Sequence, residues 1–195
     1  MRTIALAVLL LAVTFSTVFA QNYRLEFYAD EALTSCDLAV TGPGLVKVHM
    51  LITGEGNLWG ISFKAVKPPC MQNASWIADV WQQAGLVGNN GNTQATRGEG
   101  VDVAFDCVPL PRYIGWIWFS VTGPIPACCA YSPQHGSYSG DVGFPGNMEI
   151  LLCGPGLPVP MGGRGVVINP DATCACNLPL PTKQTTWGAV KDLYR

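Results

Sequence analysis

The sequence predicts an all-β protein: an antiparallel β-sandwich stapled by disulfides, with a short helix-like tail at its C-terminus. Three observations carry that expectation. Apolar residues recur at every second position in six or more short segments separated by Gly, Pro, Asn and Asp, which is strand spacing with turn punctuation. Helical spacing is confined to "ASWIADVWQQ" and the last residues of the chain. The cysteines number 8, an even count, and all lie beyond an apolar leader, as expected where thiols are oxidised.

The leader comes first. Arg2 supplies a positive end, Ile4 to Val13 is almost wholly apolar, and Val18-Phe19-Ala20 suits a cleavage site, so residues 1–20 read as a signal peptide removed before Gln21. The apolar run is shorter than the roughly 20 residues that cross a bilayer. Thr14, Ser16 and Thr17 dilute its end, so no membrane span is expected after cleavage. Residues 21–180 form one domain, and 181–195 form a Pro-led linker with an amphipathic tail. Charged residues make up only 12% with a net charge of -2, which excludes the basic footprint of a nucleic-acid binder. The expected location is secreted, extracellular or cell-envelope.

The strands follow in order. "YRLEFYAD" puts Leu25 and Phe27 on one face, with Arg24, Glu26 and Tyr28 on the other. "LVKVHMLIT" aligns Val46, Val48, Met50 and Ile52, and "GISFKAV" aligns Ile61, Phe63 and Ala65, with Gly54 to Asn57 as turn material between them. "GVDVAFDCV", "YIGWIWFSVTG", "MEILLC" and "RGVVIN" complete the set. In "YIGWIWFSVTG" both alternating faces are apolar, so it reads as the central strand, covered on both sides, with Trp116 and Trp118 in the core. "GPGLPVPMGGRG" (154–165) and "SPQHGSYSGDVGFPGN" (132–147) read as loops.

The disulfide framework takes Cys36, Cys70, Cys107, Cys128, Cys129, Cys153, Cys174 and Cys176. Its connectivity is open, except that the adjacent Cys128 and Cys129 point apart in extended chain and reach different partners. A metal or redox use of "CAC" and "CC" is the weaker reading, because their spacing suits neither zinc nor a dithiol motif. No cofactor and no metal are expected.

Catalysis has little to work with. Only His49 and His135 could serve as a base; His49 falls on the polar face of a strand and is expected at the solvent side, while His135 lies near Ser132, Ser137 and Asp141. A secreted hydrolase built on the His135 loop is therefore the alternative to a non-enzymatic module. Glu26, Asp30, Glu31, Asp37, Glu99, Asp102, Asp106 and Glu149 are scattered carboxylates, of which Asp102 and Asp106 share a strand face and offer a weak Ca²⁺ reading. Trp59, Trp76 and Trp81 are the aromatic residues expected at the surface, where rings stack on sugars, so the candidate partners are a glycan or a protein at the cell surface. Asn73-Ala74-Ser75 matches a glycosylation acceptor.

The stretch from Leu45 to Val66, "LVKVHMLIT", a Gly-rich turn and "GISFKAV", resembles the opening hairpin of secreted bacterial β-sandwich modules of the cohesin and carbohydrate-binding-module type. That resemblance implies the sandwich. The whole layout, with "INPDATCACN" and "TTWGAVKDLYR", also resembles a group of exported bacterial proteins without an assigned activity. In that last segment Thr185 or Thr186 can cap a helical turn, and Trp187, Val190, Leu193 and Tyr194 form an apolar stripe. So short a helix holds only when docked, on its own sandwich or on export or attachment machinery.

Overall fold

The computed structural model describes residues 23–82, 84–87 (backbone), 92–94, 100–135, 148–154 and 158–176. The leader, the tail with Trp187, Val190, Leu193 and Tyr194, and Ser137 and Asp141 beside His135 lie outside the described residues.

Among the described residues twelve strands run in chain order: β1 Arg24–Tyr28, β2 Asp37–Leu38, β3 Gly44–Thr53, β4 Asn57–Phe63, β5 Ala74–Trp81, β6 Ala84–Val87, β7 Val101–Pro109, β8 Arg112–Val121, β9 Cys129–Tyr131, β10 Met148–Leu152, β11 Pro158–Arg164 and β12 Val166–Ile168. Nine of them follow the hydrogen-bonded order β5-β8-β3-β1-β11-β10-β4-β7-β6. The fold-over of this order is at β11. Its first half, Pro158 to Met161, pairs with β10, and its second half, Gly162 to Arg164, pairs with β1. Two layers result: a first half-sheet β5-β8-β3-β1 and a second β10-β4-β7-β6, with β11 shared between them. Pairing is antiparallel except at β1–β11 and β2–β12.

Between the layers lies one core. Leu25 and Phe27 of β1, Met50 and Ile52 of β3, Phe63 of β4 and Ile150 of β10 are fully buried. Each removes apolar surface worth about 1.5–3 kcal/mol from water. The small sheet β2-β12-β9 contributes Tyr131, whose ring lies 5.4 Å from both Phe27 and Phe119. Burial pushes the Tyr131 hydroxyl far above its usual range, and it donates to Ala65 O at 2.8 Å.

The cysteines pair as Cys36–Cys176, Cys70–Cys129, Cys107–Cys153 and Cys128–Cys174. Adjacent Cys128 and Cys129 thus reach two different partners. Two of the bridges pin the segment Cys174 to Cys176 to the β2-β12-β9 sheet, where the amide of Cys176 also donates to Asp37 Oδ1 at 2.8 Å.

Several expectations are corrected. "ASWIADVWQQ" contains strand β5, and "GPGLPVPMGGRG" contains strand β11. The stretch Leu45 to Val66 is no hairpin, since β3 pairs with β1 and β8 while β4 pairs with β10 and β7. Its Gly-rich turn carries the chain from one layer to the other, with Gly54 and Gly56 at φ 140 and 100. β8 is the strand next to the edge of its layer, and a bulge at Gly115 changes its parity. Ile114, Ile117 and Phe119 point to the core, while Trp116 and Trp118 lie half-buried on the outer face beneath Lys47, whose Nζ stands 4.8 and 5.4 Å from their rings. His49 shares that outer face but is buried.

Candidate ligand-binding slot

The outer face of the second layer carries a concave slot, and β4 is its axis. β4 runs between β10 and β7, with Gly60 opposite Leu151 on one side and Ala104 on the other. The register shifts on both sides at Trp59, so Leu58 turns inward while Trp59 and Gly60 both face out. Trp59 is left 48% exposed, enough ring surface for a ligand to meet.

The floor exists because residue 60 has no side chain and residue 104 has only a methyl. A Cβ on Gly60 would come within 3.3 Å of Val103 O and 3.5 Å of Leu151 Cδ1, filling the depression. The resulting slot, about 210 Å³, has Trp59, Gly60, Ala104 and Leu151 around its apolar part. That volume suits one ring rather than an extended ligand. Ser62, Asp102 and Glu149 line its other end. Ser62 sits opposite Asp102 on β7 and opposite Glu149 on β10, so the two carboxylates flank one hydroxyl across neighbouring strands.

A disulfide braces this region. Cys107 on β7 is bonded to Cys153 just after β10, and the Cys153 amide donates to Asn57 O at 2.9 Å at the start of β4. The three strands that build the slot are tied together at the Trp59 end.

The three tryptophans expected at the surface lie on two different strands. Trp76 and Trp81 belong to β5 in the first layer, and both are half-buried against the core. The Trp76 indole donates to Asp79 Oδ1 at 2.9 Å, and Trp81 meets Phe63 edge-on at 6.2 Å. Asp79, its carboxyl pushed up by burial against the pull of the hydrogen bonds from Trp76 and Thr93, is occupied holding Thr93, whose amide and hydroxyl both donate to it.

The histidines assemble no catalytic pair among the described residues. His49 Nδ1 lies 2.8 Å from the Tyr113 hydroxyl. No free thiol is available to it, because all eight cysteines are in disulfides. Among the described residues one group of three metal-ligating side chains comes within reach, Cys128, Asp171 and Cys174, and two of its members are bonded to each other. Asp102 and Asp106 are separated by the β7 register shift opposite Trp59, and they do not form such a group.

Asp102 and Glu149 gain meaning only here. Both alternate outward on their strands, which is visible in the sequence, but their common neighbour Ser62 follows from strand order.

No protein-family profile and no curated relative matches the chain. Solved structures that the chain partly resembles include the seventh ScaB type I cohesin of Pseudobacteroides cellulosolvens, with 11% identity over 82% of this chain and 96% of that one, at a TM-score of 0.48. The sixth cohesin of the scaffoldin B of Acetivibrio cellulolyticus, solved with a mutant Cel5 dockerin, has 7% identity over 77% of this chain and 99% of that one, at a TM-score of 0.44. By its own strand pairing the chain is a β-sandwich held by four disulfides.

Proposed function

We propose that this protein is an exported, non-enzymatic binding module that holds one ring of a glycan in the Trp59 slot. The observation that carries the reading is a 48% exposed indole standing over an apolar depression of about 210 Å³. The C–H face of a pyranose stacks on such a ring, while its hydroxyls need acceptors. Asp102, Glu149 and Ser62 supply them from one side of the slot.

Binding rather than turnover is favoured by how the reactive side chains are spent: cysteines in staples, His49 on Tyr113, Asp79 on Trp76 and Thr93. Export is favoured by the leader-like residues 1–20 and by four disulfides, which persist in oxidising surroundings. No helix among the described residues is long and apolar enough to cross a membrane. The tail 181–195 is the segment through which a surface component would be attached or docked.

The test is a panel of soluble oligosaccharides titrated against the oxidised protein and against Trp59→Ala. Loss of a stacked sugar on Trp59→Ala should weaken binding by about tenfold or more at unchanged thermal stability. Binding that is indifferent to Trp59→Ala would remove the slot from the function.

A further inference from the structure

We infer that the segment Thr185 to Arg195 of this chain docks on the outer face of the first layer, its apolar stripe laid against Trp116 and Trp118. The Trp59 slot belongs to the other layer, so the two readings stand or fall separately.

The face is apolar and open. Across β5, β8 and β3 the outward pairs are Ala78 with Trp118 and Lys47, and Val80 with Trp116 and His49. Among the described residues three large apolar side chains are exposed. Trp59 is one; the other two, Leu45 at 67% and Ile77 at 42%, flank Trp118, Leu45 two residues before Lys47 and Ile77 in the β5 bulge beside Ala78. Single exposed apolar residues are ordinary, but a contiguous group marks a contact.

The face also lacks acceptors. The Nε1 atoms of Trp116 and Trp118 are buried and have no hydrogen-bond acceptor among the described residues. Lys47, whose ammonium stands over both rings, brings donors only. A segment lying across the two indoles supplies backbone carbonyls, which relieves the cost of buried unpaired donors.

The described chain stops at the right place for this occupant. Cys176, the last described residue, is bonded to Cys36, with their Cα atoms 5.7 Å apart. Cys36 follows the loop that leaves β1 after Tyr28 and closes through the Ala29 amide on Ser35 O. Tyr28 pairs with His49, so Lys47 and Leu45 extend past the end of β1 at that same end of the sandwich. The 8 residues Asn177 to Gln184 reach about 26–29 Å when extended, against strand spacings of about 5 Å across the face. As a helix, Thr185 to Arg195 is about 16 Å long, within the roughly 20 Å that β3 covers from Leu45 to Leu51. Trp187, Val190 and Tyr194 then share one side. A tether of this length holds the segment at roughly millimolar effective concentration, so a weak contact is enough.

The experiment reads the indole N–H signals by NMR, assigned from single tryptophan-to-phenylalanine variants, in the oxidised protein and in the chain shortened to end at Gln184. A synthetic peptide of residues 185–195 gives the free position of Trp187. Docking predicts that the deletion moves the Trp116 and Trp118 signals and leaves that of Trp59 in place, and that Trp187 in the full chain differs from the peptide. Leu45→Asp, at an exposed position, should return Trp187 towards the peptide position with the tail still attached. Trp116 and Trp118 signals indifferent to the deletion, or Trp187 at its free position in the full chain, would overturn the docking. If the shortened chain fails to fold, a Trp187 signal unmoved by Leu45→Asp overturns it alone. Signals that instead follow protein concentration would assign the face to a second copy of the chain and overturn the tail as its occupant.

Discussion

His49 alternates away from the core on β3, yet only 5% of its surface meets water, because Tyr113 and Trp116 close over it. Plain alternation places it at the solvent side; what it misses is that large neighbours can bury an outer face without a second layer. Burial lowers the pKa of its imidazole; Glu31 and Asp30 oppose that shift, while Lys47 adds to it. The native pKa therefore lies below the unfolded value of about 6.5. The unfolded chain takes up this proton first, so His49 contributes its full stability above about pH 6.5 and loses it as pH falls towards the native pKa. Denaturant midpoints measured from neutrality to about pH 5 should fall, and the fall should be shallower in His49→Gln. Parallel pH profiles for the two proteins would show that His49 plays no part. Residues of the slot were unequally readable for a related reason. Trp59 stands out in the sequence as an aromatic residue after a turn, whereas Asp102 and Glu149 look like any outward carboxylates until the strand order makes them neighbours.

At the scale of elements, the strands the sequence hides are those with interrupted alternation. β5 has a bulge between Trp76 and Ala78, which leaves Ile77 exposed and shifts the parity of the rest of the strand. Apolar residues at 76, 77, 80 and 81 then imitate helical spacing. β11 looks like a loop because it contains Pro158 and Pro160. These alternate along the strand, so their missing N–H groups share one edge, and β1 begins to pair on β11 only at Gly162. β8 hides its facing rather than its existence, through the bulge that makes Ile114 a core residue and Trp116 an outer one. Gly115 at that bulge has φ 133, and a Cβ there would run into the Val80 carbonyl of neighbouring β5. Gly115→Ala should therefore cost about 3 kcal/mol or more, combining backbone strain with displacement of the edge strand. Gly44→Ala is the matched control, since a Cβ at that position meets nothing within 4 Å, and it should change stability by less than about 1 kcal/mol. Chemical denaturation of both variants reads the difference, and equal midpoints would contradict the close approach of β5 and β8.

At the scale of the whole molecule, the even cysteine count made a stapled fold readable, but which cysteines pair depends on a topology in which β11 belongs to both layers. Bridges of equal chain length therefore do different work. Cys107–Cys153 and Cys128–Cys174 each span 46 residues, so loop-closure entropy assigns both about 4 kcal/mol of stabilisation through the unfolded chain. Their native surroundings differ. The first ties β7 to the end of β10 beside Trp59; the second fastens the segment after β12 to the turn before β9. Replacing either pair by alanines should lower the unfolding free energy by a similar amount in denaturant titrations. Only Cys107→Ala with Cys153→Ala should also loosen the slot, seen as weaker sugar binding under conditions where both variants remain folded. The distinction comes from position alone, because a staple that acts through the unfolded state lowers stability wherever it sits, whereas one that also holds three binding strands in register changes the native surface. If both double variants kept full affinity, the strands of the slot would be held by their own hydrogen bonds and core contacts, and the bridge at Trp59 would serve stability only.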